Sequence, residues 1–456
     1  MAKVDPGPGS PGAPSAPEVE ERIDSLDLTA VPEGGAPLIP PEIVAQSLGE
    51  YLRAQMLRIR GGDSGVLPVV LALTAIVIVF QSISPHHVFL SAGNIVNLFL
   101  QSAVFMVLAM AEIFVLLLGE IDLSIGYVGP VGAVIAVQLV QPTTANWPWY
   151  AAIIVALLAC ALIGAMQGTL VTRLRLPSFI VTLAGLLIFN GVLLILLAIG
   201  PFSGYPSLSG PQPNVRALYN LMWGHVSPTA GWISMAVIVG AMSLNLFLRD
   251  ERRRRSGLVA PPVSLTVIKI LFMAAVGIAV VAICNVNRAT IGTLEGVPFA
   301  IFIVLGVLGA WTLLLQRTRY GRYIYAIGGN PEAARRAGIN VTMVRTWAFI
   351  LCSFTAGIAG LLYASYLGGM SNNVNGGQLV LYAVAAAVIG GASLFGGRGK
   401  AAHGVLGGLV IGGIYNGMYL LGLAVQWEFI VTGLVLIAAV AIDALSRRGT
   451  AGIGRV

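Results

Sequence analysis

A chain of 456 residues with 57% hydrophobic side chains, 10% charged ones and a mean hydropathy of +0.87 is too apolar for a water-soluble domain. Its formal net charge of +7 hides an asymmetry, because the first 65 residues hold 10 of the 19 acids and the remaining 391 set nine acids against 21 Lys and Arg. Together these features exclude a soluble enzyme and describe an all-α polytopic membrane protein with basic loops.

Residues 1–41 are rich in Pro, Gly, Ala and acids, cannot bury a core, and are expected to form a disordered cytoplasmic tail. Residues 42–62 follow, where "PEIVAQSLGEYLRAQMLRIR" places Ile43, Val44, Leu48, Leu52, Met56 and Leu57 near one helical face and ends in Arg53, Arg58 and Arg60. That pattern fits an amphipathic helix on the inner leaflet, with a plain solvated helix as the alternative. No apolar run begins before about Val66, so no cleavable signal peptide is expected.

Apolar stretches then recur at about 66–83, 95–118, 124–140, 150–171, 178–198, 232–248, 263–283, 296–315, 344–367, 379–396, 401–423 and 428–445. Each can cross a bilayer with some tilt, which predicts about 12 transmembrane helices within residues 63–448 and a short C-terminal tail at 449–456. The positive-inside rule tests the count. With both termini cytoplasmic, 19 of the 21 basic residues fall inside and only Arg216 and Arg288 outside. The run "RDERRRR", Arg249 to Arg255, then reads as a basic cytoplasmic loop, with no nucleic acid needed to explain it.

Cys160, Cys284 and Cys352 lie in or beside apolar runs and show neither CxxC nor metal-ligand spacing, which argues against a disulfide framework and a zinc site. His86, His87, His225 and His403 read as ordinary loop or interface histidines.

One loop, residues 317–343, is punctuated for a short helix. Asn330 is a good N-cap, Pro331 suits the first helical position, and Glu332 sits where the helix dipole favours an acid. Ala333, Ala334, Arg335 and Arg336 continue it, and Gly338 can adopt the left-handed conformation that stops it. Gly328 and Gly329 offer a tight turn into this helix. A rigid helix on a cytoplasmic loop suits transmission of force to a partner.

"YGRYIYAIGGNPEAARRAGINV" resembles the coupling loop of permease subunits of bacterial ABC sugar importers, the ribose, xylose and branched-chain amino-acid permease family. Three further segments agree in order: "GEIDLSIG" with Gly119, Asp122 and Ser124, "LPSFIVTLAG" with Pro177, and "VIGGASLFGGRGK". The likeness covers about Leu90 to Arg448 apart from an extra central pair of spans at 232–283, a layout most like the xylose-type permeases. It implies a multi-pass protein of the bacterial cytoplasmic membrane that imports a sugar, a pentose such as xylose favoured, by alternating access. The implied partners are a cytoplasmic ABC ATPase, a periplasmic or lipid-anchored sugar-binding protein, membrane lipid and a second permease chain in a homodimer. No GxxxxGK[ST] occurs, since at "SLFGGRGKA" Leu394 and Ala401 stand where a phosphate-binding loop needs Gly and Ser or Thr. The chain is therefore expected to carry no cofactor and no metal, with ATP and Mg on the partner ATPase.

Polar groups inside spans mark candidates for the path: Asn97, Gln101, Glu112, Thr182, Asn190 and Asn416. For each neutral residue, interhelical hydrogen bonding competes with sugar contact. Glu112 stands where the family usually has an apolar residue such as Met, and reads as a protonated or paired structural acid, a cavity-lining acid, or a snorkelling one. Asn190 stands where the family commonly has Arg. "FIVT" occurs at Phe179–Thr182 and again at Phe429–Thr432, and "GEIDLSIG" is echoed by "GGASLFGG", Gly390 to Gly397. An ion-coupled secondary sugar transporter or facilitator is the alternative function, resting on Glu112 alone.

Overall fold

The structure, a computed structural model, describes residues 67–198, 205–257, 261–289, 292–424 and 426–437, together with Gly49, Arg53 and Ala441. Apart from Gly49 and Arg53, the predicted tail at 1–41 and amphipathic helix at 42–62 lie outside the described residues, as does the 449–456 tail.

Helices α1 (Leu67–Ile83), α2 (Ala92–Leu116), α3 (Ile125–Val140), α4 (Trp149–Arg173) and α5 (Ser178–Ala198) come first. A short α6 (Pro213–Trp223) precedes α7 (Pro228–Arg255), α8 (Val263–Cys284) and α9 (Phe299–Arg317). Two short helices, α10 (Arg319–Gly329) and α11 (Pro331–Arg336), lead into α12 (Val341–Leu367), α13 (Gly376–Ile389), α14 (Ala401–Leu420) and α15 (Gln426–Ile437). In lipid every backbone N–H and C=O needs an internal partner, which is why apolar runs of this length fold as helices. Seven of them, α2, α4, α5, α7, α8, α9 and α12, are long and apolar enough to cross a membrane. Helices α1, α3, α13 and α15 are apolar but shorter.

Every predicted span coincides with a helix, with instructive differences at the ends. The run predicted at 379–396 stops being helical at Ile389, because Gly390 and Gly391 follow and Gly391 turns at φ 109°. Helix α7 continues through the Arg-rich run to Arg255 instead of ending in a loop. Helix α6 was not expected, being only 11 residues with Pro213 at its start.

The chain divides into two compact units by backbone contacts. In the smaller, the described residues beyond Gly49 and Arg53 are 241–257 and 261–272, where buried Asp250 accepts from Thr266 Oγ1 at 2.8 Å and pairs with Arg249 at 3.3 Å. The larger comprises residues 64–240 and 273–445 and holds a repeat. Helices α2, α3, α4 and α5 begin at 92, 125, 149 and 178, while α12, α13, α14 and α15 begin at 341, 376, 401 and 426. The offsets are 249, 251, 252 and 248 residues, and the two "FIVT" segments lie 250 apart. Packing repeats as well: α12 lies along α4 and α3, α2 lies along α14 and α13, and α2 meets α12 between them. The other sequence echo, "GEIDLSIG" with "GGASLFGG", has a different offset and is a contact, since a Cβ on Gly119 would lie 3.5 Å from the Phe395 carbonyl.

Close backbone approach holds this bundle. Helix α14 turns Gly404, Gly408 and Gly412 toward α2, and a Cβ on Gly408 would come within 2.6 Å of the Met106 backbone. With no hydrophobic drive between helices in lipid, such contacts supply van der Waals packing. Gly408→Val is expected to lower the thermal unfolding midpoint of the detergent-solubilised protein, by overpacking worth about 1–3 kcal/mol. Gly191→Ala, in open space on α5, is expected to leave the midpoint unchanged or raise it.

Candidate functional site

The punctuated loop folds as its residues dictate. Thr318 Oγ1 accepts from Gly321 N–H at 3.2 Å and starts α10, whose Ile324 and Ile327 are buried. Asn330 Oδ1 then accepts from Glu332 N–H at 3.1 Å and Ala333 N–H at 2.9 Å, so two N-terminal donors of α11 are satisfied by one side chain. Pro331 fills the first position. Gly338 takes φ 81°, Ile339 N–H closes on the Ala334 carbonyl at 3.1 Å, and Asn340 Oδ1 caps α12 through Met343 N–H at 3.0 Å. Of the six residues in α11 only Ala334 is buried. Glu332 lies 3.0 Å from Arg335 and 3.4 Å from Arg336, exposed pairs that orient side chains and add little stability.

The expected tight turn at Gly328–Gly329 is not there. Both glycines end α10, and the chain turns at Asn330, which has φ −157°. Gly328 serves another purpose: a Cβ there would overlap the Leu117 carbonyl. Helix α10 thus seats directly on the turn after α2, and Tyr325 Oη donates to the Gly399 carbonyl at 2.6 Å, tying in the Gly-rich 390–400 segment.

Beneath this junction lies a buried polar cluster. Glu112 Oε1 accepts from Asp122 N–H at 3.1 Å, and Asp122 Oδ1 accepts from Ser124 N–H at 3.0 Å and Ser124 Oγ at 2.6 Å. Ser124 Oγ is also 3.0 Å from Gln167 Oε1, and Thr182 Oγ1 donates to the Ile121 carbonyl at 3.3 Å. Neither Glu112 nor Asp122 is accessible to solvent. Among the described residues the second oxygen of Glu112 has no hydrogen-bond partner, and that of Asp122 has only the weakly donating Cys352 thiol beside it. Burial pushes the Asp122 carboxyl up to about 6, against the pull of its Ser124 hydrogen bonds. At the rim, burial also raises Glu120, opposed by Arg345 at 3.1 Å. Beside it opens a cavity of about 930 Å³, walled by Glu120, the α4–α5 corner with Pro177, Arg335 of α11 and Arg345 of α12.

The six path candidates fall in separate places. Asn416 Nδ2 donates to Asn94 Oδ1 and to Gln101 Oε1, both at 3.0 Å, and Asn94 Nδ2 returns a bond to Asn416 Oδ1 at 2.9 Å. Gln101 and Asn416 are thus joined across α2 and α14 by an interhelical network. Glu112 and Thr182 belong to the turn cluster. Asn97 lines a separate cavity of about 310 Å³ with Trp223, His225 and Arg288. Asn190 is half-buried and makes no hydrogen bond among the described residues. Sequence reasoning missed Asn94 and Gln167. Asn94 stands seven residues before Gln101, two helical turns along the same face, and that spacing was a readable signal. Gln167 had none, because its partner Ser124 is 43 residues away.

A bundle of membrane-length helices carrying a capped helix seated on its core is the architecture of a membrane transport component. The chain belongs to the family described as branched-chain amino acid transport system, permease component, whose profile matches residues 94–440. It is 34% identical over 400 residues to the xylose transport system permease protein XylH of Escherichia coli K12, covering 85% of this chain and 95% of that one. It is 29% identical over 374 residues to the D-allose transport system permease protein AlsC of the same strain, covering 82% and 90%. To the ribose import permease protein RbsC, also of that strain, it is 27% identical over 374 residues, covering 82% and 92%. No solved structure matches the chain.

If Glu112 is a fixed turn acid, Glu112→Gln keeps the acceptor for Asp122 N–H and should leave the unfolding midpoint nearly unchanged. Glu112→Leu strands that buried N–H and should destabilise by about 1–3 kcal/mol, read as a lower midpoint in the same assay.

Proposed function

We propose that this chain is the transmembrane permease subunit of an ATP-driven importer that carries a sugar across a bacterial cytoplasmic membrane by alternating access. A pentose such as xylose is the favoured substrate, from the relatives' names. The observation that carries this reading is α11: a doubly capped helix, exposed on five of its six residues, joined through α10 to a core turn at Gly328 and Leu117. Closure of an ATPase pair around it moves α10 as a body and, through the turn, α2 and α3.

In this reading the membrane domain is 63–448, with coupling loop 317–343 and an extra central pair at 232–283; twelve helices cross and both termini are cytoplasmic. Six crossings then lie between α2 and α12, so the repeated halves run in opposite directions, a common architecture in transporters. One coupling helix per chain calls for two permease chains, so a homodimer with two ATPases and an extracytoplasmic sugar-binding protein is the assembly. ATP and Mg stay on the ATPase, and the permease performs no covalent step. Glu112 and Asp122 supply the buried acid pair that an ion-coupled mechanism needs. Both are engaged in holding the turn's backbone, which favours the structural role.

The test is uptake of radiolabelled xylose into proteoliposomes containing this chain, its ATPase and its binding protein. Uptake should require ATP and ignore an imposed proton or sodium gradient. A Glu332→Arg, Arg335→Glu double variant should assemble poorly or hydrolyse ATP without uptake. Gradient-driven uptake by this chain alone, indifferent to that variant and abolished by Glu112→Gln, would overturn the reading.

A further inference from the structure

The cavity beside α11 has a composition that force transmission through α11 does not explain. Four arginines from three elements line it: Arg173 and Arg175 from the corner after α4, Arg335 from α11 and Arg345 from α12. Glu120 is the one acid in its wall and is already paired with Arg345, while Arg335 is paired with Glu332. Arg173 and Arg175 are exposed and have no ion pair among the described residues. Arg175 also holds a left-handed backbone at φ 56°, unusual for a side chain of that size. Leu174 and Leu176, 63% and 43% exposed, flank it, so the corner alternates guanidinium and apolar groups. Arginine beside exposed apolar surface is the composition of protein-interface hot spots.

We propose that this cavity is a second docking site for the cytoplasmic ATPase and receives an acidic segment of that subunit, its carboxylates seated on Arg173 and Arg175. The assignment rests on the importer reading above. Arg335 is shared between the cavity wall and α11, so a protein that grips α11 covers the cavity mouth. The arginines left unpaired need anions once water is displaced, and a guanidinium takes a carboxylate through two parallel hydrogen bonds. The second contact lies on the corner joining α4 to α5, away from the coupling loop in sequence. Engagement there would move the α4–α5 corner together with α11.

Binding of purified ATPase to the full-length permease in detergent, without added anionic lipid, tests this at low and high salt. Arg173→Gln with Arg175→Gln should weaken binding by about tenfold or more at low salt and flatten its salt dependence. An Arg175→Glu permease should be rescued by one Asp or Glu to Lys change in the ATPase, which identifies the acidic partner. Both arginines are exposed, and an unchanged unfolding midpoint verifies that the variants fold. Equal affinity and salt dependence for variant and wild type would overturn the proposal while leaving the importer reading intact. A difference seen only in nanodiscs containing anionic lipid would overturn it in favour of a headgroup site. Failure of the wild-type permease to bind the ATPase at all would overturn both.

Discussion

The structure turns on a backbone contact with no room for a side chain. The Leu117 carbonyl, at the end of α2, accepts from Gly397 N–H and lies against the Cα of Gly328 on α10. Three segments far apart in sequence meet there, and the two that close on Leu117 do so as glycines, since a Cβ on Gly328 would overlap the carbonyl and one on Gly397 would crowd Gly328 at 3.2 Å. A displacement of α10 therefore reaches the core through backbone, which is stiffer than any side-chain relay. This contact joins α10 to the bundle, beside the direct continuation of α11 through Asn340 into α12.

Below that contact, electrostatics in a dry interior sets the architecture. A turn between two membrane helices leaves backbone donors without helical partners, and no water is at hand to satisfy them. Glu112 and Asp122 satisfy two of them, at Asp122 N–H and Ser124 N–H. The acid that looked most like a transport residue is thus hydrogen-bonded into the turn. The same economy governs Asn94, Gln101 and Asn416, whose amides use one another across α2 and α14.

Much of the helix layout was legible in the sequence. Apolar runs and the Asn-Pro-Glu start of α11 each have a local physical cause, and each appears at the expected residues. The ends were less legible where the chain stays helical beyond the apolar run, as through Arg252–Arg255, or stops early at a glycine pair, as after Ile389. The four-residue "FIVT" identity carried little weight by itself; its meaning came from eight helix starts sharing one offset. The path candidates were chosen for being polar in an apolar run, a criterion blind to partners, so it grouped residues that the fold separates.

Composition and periodicity by themselves determined that this is a multi-span helical membrane protein, where its helices fall and which loop carries a capped helix. Those properties depend on residues within a few turns of one another. Only the tertiary structure decided that Gly328 is a seat for a carbonyl instead of a turn, that Glu112 holds a loop, and that arginines from three elements share one cavity. Each of those depends on groups tens to hundreds of residues apart in sequence, whose distances are set by helix packing and by nothing local.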